Sequence, residues 1–141
     1  MKIMSVDLGL SRTGIASCDP LEMLASPVTV IHQKNEQRLI DEIVDNAKTI
    51  GAELIVVGLP KNMDGSCGER AEECTRIAKI IGEKSNIETV MWDERCTTVS
   101  AINALNVTNT RGSKRKAVVD AVAAVMILES YLAYRKNMNI K

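Results

Sequence analysis

The chain has 141 residues, and its 18 Lys+Arg balance 18 Asp+Glu, so it is not a generally basic nucleic-acid binder. It is 45% hydrophobic with one Trp, two Tyr and no Phe, a composition that suits a buried α/β sheet rather than an aromatic stacking surface. That length can bury a sizeable core as one domain over 1–141, and no apolar run of about 18 residues is present to span a membrane.

Lys2 to Leu8 reads as a first strand, with Ile3, Met4, Val6 and Leu8 asking for burial and one carboxylate, Asp7, near its end. An ionised carboxylate there is costly unless it faces a cation, a hydrogen-bond donor or water at the end of the sheet. Thr13 to Cys18 reads as a second strand joined through Gly9-Leu10-Ser11-Arg12, an antiparallel hairpin. Asp19-Pro20 marks a turn, and Pro27 to Ile31 suits a third strand at an edge, where proline is tolerated. Leu39, Ile40, Ile43, Val44, Ala47 and Ile50 recur at helical spacing between Asn35 and Ile50, a surface helix ending at Gly51. Leu54 to Val57 is a continuous apolar run, a strand covered on both faces. Helix followed by buried strand indicates a parallel crossover.

A loop of turn formers follows from Gly58, and the capping-box spacing of Ser66 and Glu69 predicts a helix from Ser66 to about Gly82. Glu88 to Trp92 is predicted as the next buried strand, with Asp93-Glu94-Arg95 at its end and a short helix capped by Thr97 or Thr98 running through Leu105. Ligands collect beyond the carboxyl ends of strands in open α/β sheets, which places Asp7, the Lys61-Asn62 loop and Glu94 at one rim. Asn106 to Ser113 lacks apolar periodicity and reads as a mobile loop, leading through Lys114-Arg115-Lys116 into an apolar helix over Ala117 to Tyr134. Asp120 is an N-cap if that helix begins there. If the helix begins near Lys114, Asp120 shares the core-facing stripe of Ala124, Ile127, Leu128 and Tyr131.

Charge is unevenly distributed: residues 1–94 carry −6 and residues 95–141 carry +6. The C-terminal third is either an uneven solvated surface or a basic stripe for phosphates. Cys18, Cys67, Cys74 and Cys96 have no Cys-x-x-Cys spacing and His32 is the single histidine, so a zinc site is not expected. Asp7 interrupts the first apolar run, which argues against a signal peptide and for reduced thiols in the cytoplasm.

Asp7, Glu94 and Asp120 are thus separated acids that the topology can gather. Carboxylates without a histidine or thiolate pattern favour hard cations, Mg²⁺ or Mn²⁺. Two such ions roughly 4 Å apart support phosphodiester hydrolysis.

The pieces Val6-Asp7-Leu8-Gly9 with Arg12-Thr13-Gly14-Ile15-Ala16, Val57 to Ser66, Asp93-Glu94-Arg95-Cys96-Thr97-Thr98 and Val119 to Ala124 resemble the YqgF family, also called RuvX, of Holliday junction resolvases. They stand in the family's order over nearly the whole chain. The resemblance implies an α/β, ribonuclease-H-like fold with a five-stranded mixed sheet, its first three strands antiparallel and helices on both faces. It implies a hydrolase, a divalent-metal-dependent nuclease with Asp7, Glu94 and Asp120 as catalytic and metal-binding acids; Asp93 ranks second to Glu94.

In that scheme Asp7 bridges both ions, and Lys61, Asn62, Arg95, Lys114, Arg115 and Lys116 contact phosphates without reading bases. Arg12 does the same from the hairpin turn; for Arg12 and Arg115 plain solvation competes equally. Family members act in maturing the 5′ end of pre-16S rRNA, in ribosome biogenesis, or as resolvases of branched DNA. A non-catalytic maturation factor is a further alternative. Branched DNA favours a homodimer and RNA processing a monomer.

Overall fold

Period-two patterning builds a five-stranded sheet at the centre of the molecule. The computed structural model describes residues 1–9, 12–59, 68–93 and 112–139, with backbone alone for 112–121 and 138–139. Its strands are β1 (Ile3–Leu8), β2 (Thr13–Cys18), β3 (Ala25–Ile31), β4 (Leu54–Leu59) and β5 (Glu88–Asp93), in the order β3-β2-β1-β4-β5. β1 pairs antiparallel with β2 and β2 antiparallel with β3, while β4 pairs parallel with both β1 and β5. This is the mixed sheet, antiparallel over its first three strands, that the family resemblance implies.

Alternation along β1 divides the core. Met4, Val6 and Leu8 pack with Ile15, Ile43, Val57, Ile77 and Ile81 under α1 (Glu36–Ile50) and α2 (Glu69–Ser85). Ile3 packs on the other face with Ala16, Val56, Ile127 and Leu128 under α3 (Gly112–Asn139). Each aliphatic side chain so buried contributes roughly 1.5–3 kcal/mol, which is why the two stripes dictate the layering. β4 is buried on both faces, as its unbroken apolar run requires.

α1 forms where its periodicity predicts. Asn35 Oδ1 accepts from Arg38 N at 3.0 Å, and at the other end Gly51 adopts φ 77° and its N–H returns to Ala47 O at 3.0 Å. α2 departs from expectation at both ends: it begins at Glu69 after Gly68 and continues past Gly82 to Ser85, closed by Asn86 at φ 61°. Gly82 is a packing glycine rather than a helix stop, since a Cβ there would stand 3.0 Å from Thr89 Oγ1 of β5. Ser66, the predicted cap, lies outside the described residues.

β5 is an edge strand and is half-buried rather than buried, because strand order and not local composition sets its cover. α3 begins at Gly112, so Gly112 and Ser113 are helical rather than loop. The predicted helix from Thr97 or Thr98 to Leu105 lies outside the described residues.

Candidate functional site

The crossovers from β3 through α1 to β4 and from β4 through α2 to β5 put both helices on one face, while β1 turns directly into β2 on the other side of the β1/β4 seam. The chain therefore leaves β1 and β4 in opposite directions, the switch point at which open α/β sheets bind ligands. The β1/β4 ladder ends at Val6 and Val57. β4 goes on to pair Leu59 with Asp93, and β1 goes on to pair Asp7 with Gly14 and Leu8 with Thr13. Asp7 thus stands at the mouth of the seam.

By strand alternation Asp7 shares the face of Ile3 and Ser5, toward α3. It is half-buried, and among the described residues its carboxylate has no hydrogen-bond or ion-pair partner. Ser5 is fully buried and its hydroxyl donates to Ala124 O at 2.6 Å, which ties β1 to α3 in the middle of the sheet. Farther along α3, Arg135 Nε donates to Glu22 Oε1 at 2.7 Å, and Glu22 also lies 3.2 Å from the Met1 ammonium, at the opening of β1. α3 therefore runs antiparallel to β1.

From the Ser5–Ala124 contact, two residues of strand advance about 6.6 Å to Asp7. Four residues back along the helix advance about 6 Å to position 120. Both backbones thus proceed toward the same rim. Position 120 lies about two turns inside α3, so Asp120 is not its N-cap.

The remaining expected residues divide plainly. Lys61, Asn62, Glu94 and Arg95 lie outside the described residues. Lys114, Arg115 and Lys116 occupy the opening turns of α3 as backbone positions. Arg12 stands half-buried just before β2, at the rim. Val90 and Trp92 of β5 pack with the α3 cluster and Met91 with the α1/α2 cluster, so alternation sets Asp93 on the α1/α2 side, away from the face of Asp7. Among the described residues no group of three His, Cys, Asp or Glu side chains can hold a metal ion. At the rim Asp7 offers carboxylate oxygen, a donor type that suits a hard cation, while Cys18 and Cys74 are buried thiols and His32 is exposed at the end of β3.

Sequence reasoning passed over two residues here. Ser5 is a buried hydroxyl in an otherwise apolar strand, a polar group that had to have a partner. Arg70, in the first turn of α2, donates from Nη2 to Leu8 O at 2.8 Å. Its signal was a cation at the end of a helix where acids are favoured.

Arg12 also closes the hairpin turn. A Cβ on Gly9 would overlap the Arg12 carbonyl oxygen, so only glycine fits there.

Comparison with known proteins bears on this arrangement. The model of the family described as "RuvX: Holliday junction resolvase" matches residues 1–134. A protein of Clostridium novyi (strain NT) named "Putative pre-16S rRNA nuclease" is 39% identical over 132 residues, 94% of this chain and 98% of that protein. A protein of the same name from Clostridium botulinum (strain Hall) is 42% identical over 132 residues, 94% of this chain and 96% of that protein. Among solved structures, Thermus thermophilus RuvC superimposes with TM-score 0.59 at 10% identity, covering 97% of each chain. The fowlpox virus resolvase in complex with Holliday junction DNA gives 0.63 at 10%, covering 96% of this chain and 99% of that one. These structures share the ribonuclease-H-like fold with this chain.

Proposed function

Because the chain belongs to the RuvX family, we propose that it is a divalent-metal-dependent nuclease that hydrolyses phosphodiester bonds in maturing the 5′ end of pre-16S rRNA. The observation that carries this reading is Asp7, a half-buried carboxylate with no partner among the described residues, standing where β1 and β4 part. The names of the relatives at 39% and 42% identity favour the RNA substrate.

In this reading Asp7, Glu94 and Asp120 hold Mg²⁺ or Mn²⁺. When bound, the ions supply a water activated for attack and charge stabilisation at the leaving oxygen. Asp7 offers two carboxylate oxygens toward the α3 face, with which it would hold an ion. Ser5 keeps α3 in register, so that the helix turn carrying Asp120 travels with the end of β1. Lys114, Arg115 and Lys116 at the opening of α3, with Lys61, Asn62, Arg95 and Arg12, hold phosphates and set the strand's position without reading its sequence.

Branched DNA is the second substrate to weigh, since the matching family model carries the resolvase description. The test is cleavage of a 5′-extended 16S precursor RNA and of a four-way DNA junction by purified protein in Mg²⁺ or Mn²⁺, beside Asp7→Asn. RNA cut at a defined 5′ position, and lost in the variant, supports the reading. Junction cleavage alone transfers the assignment to DNA. Tight RNA binding without cleavage in either metal makes the chain a maturation factor and ends the nuclease proposal.

A further inference from the structure

The geometry points to Arg70 as a positioning residue for the metal-binding carboxylate of Asp7, an inference that rests on the reading of Asp7 as a metal ligand. Beyond Val6 the parallel ladder with β4 has ended, so among the described residues Asp7 and Leu8 pair only with Gly14 and Thr13 of β2. On the open side the support comes from α2, 62 residues away in sequence: Arg70 Nη2 donates to Leu8 O at 2.8 Å. The guanidinium thus supplies the donor that a continued ladder would have supplied. Its other nitrogen, Nη1, lies 3.2 Å from Glu73 Oε1, one turn along the same helix.

Helix stability does not explain the choice of residue. A cation in a first helical turn meets the positive end of the helix dipole, and Glu69 and Glu72 already occupy that turn with the favourable sign. What the position gains from arginine is reach: a rigid fork carried across to the end of β1, partly buried, with its charge compensated by Glu73.

The consequence falls on the residue next door. Holding the Leu8 carbonyl limits how far the one-sided end of β1 can sway, and so limits the sway of the Asp7 carboxylate. Groups that hold a ligand residue in place, without touching the ion, change metal affinity by roughly 10–100-fold. A cavity of about 60 Å³ bordered by Leu8, Gly9, Gln33 and Arg70 lets water reach the carbonyl when the side chain is cut back. The fold can therefore survive the loss while the anchor does not.

Electrostatics and positioning predict opposite signs, which makes the test direct. Removing a guanidinium near an acidic site strengthens cation binding if the charge is all that matters. Removing an anchor weakens it. The measurement is Mn²⁺ affinity of the full chain by calorimetric titration for the unmodified protein, Arg70→Ala, Arg70→Lys and Asp7→Asn, with each thermal midpoint in chelator.

The expected result is a rise in the Mn²⁺ dissociation constant of about tenfold or more in Arg70→Ala. Arg70→Lys, which keeps a donor, recovers most of it, and both variants retain cooperative unfolding. Unchanged or tighter binding in Arg70→Ala overturns the inference, as does equal loss in Arg70→Lys. If the unmodified protein binds no Mn²⁺, or Asp7→Asn binds it normally, the metal reading of Asp7 fails and Arg70 falls with it. Loss in Asp7→Asn with no change in Arg70→Ala removes Arg70 alone.

Discussion

Asp7→Asn is expected to reverse its effect on stability according to whether metal is present. In chelator the native carboxylate is half-buried at the end of β1 and, among the described residues, lacks a cation or donor. In the proposed site Glu94 and Asp120 are its neighbours, and without a cation the like charges repel at a cost in stability. The isosteric amide removes that cost. Single stabilising substitutions are commonly worth about 1 kcal/mol, which for a chain of this length raises the thermal midpoint by about 4 °C. In Mg²⁺ at a hundred times its dissociation constant, the unmodified protein gains about 2.7 kcal/mol that a variant without the site does not. That corresponds to a rise of about 10 °C, so the order of the two midpoints inverts. Calorimetric scans of both proteins in EDTA and in a Mg²⁺ series measure it. The reasoning is refuted if Asp7→Asn is the less stable protein in EDTA, or if Mg²⁺ raises both midpoints equally.

Three further substitutions probe the frame around the site. Thr13 is 1% exposed and its hydroxyl has no hydrogen-bond partner among the described residues, so Thr13→Val, which keeps the shape, is expected to raise stability by about 1 kcal/mol in urea unfolding; a loss of that size would refute the assignment. Gly9→Ala forces the new Cβ against the Arg12 carbonyl and is expected to cost more than about 1 kcal/mol, read as a fall in the urea midpoint at constant slope. Glu22 is held below its usual 4.5 first by the hydrogen bond from Arg135, against desolvation, with help from the Met1 ammonium. Its folded value being the lower one, the pair's stabilisation is present above pH 4.5 and is lost as pH falls through the folded value. Glu22→Gln should therefore lower stability by about 1 kcal/mol at pH 7 and flatten the decline below pH 4.5, and unchanged acid titration of stability would contradict the linkage.

Much of the frame is legible without coordinates because its causes are local. The alternation of Ile3 to Leu8, the helical stripe of Leu39 to Ile50 and the Asn35 and Gly51 caps act within a few residues of chain, so strand, helix and ends follow from composition and order alone. Asp7 was singled out the same way: a carboxylate closing an apolar strand is anomalous wherever that strand lies. Local signals also misled where a residue serves a distant neighbour. Gly82 reads as a stop but packs α2 on Thr89, and Glu88 to Trp92 reads as buried although β5 is an edge strand.

Strand order, the antiparallel run of α3 over β1, and the two ties Ser5–Ala124 and Arg70–Leu8 came only from the tertiary structure. These contacts join residues 119 and 62 positions apart, and no periodicity within a segment records which other segment will cover it. The sequence by itself determined the strands and helices of the described frame and the family to which the chain belongs. Packing of the two apolar faces decided where the β1/β4 ladder stops, and so which end of the sheet Asp7 faces.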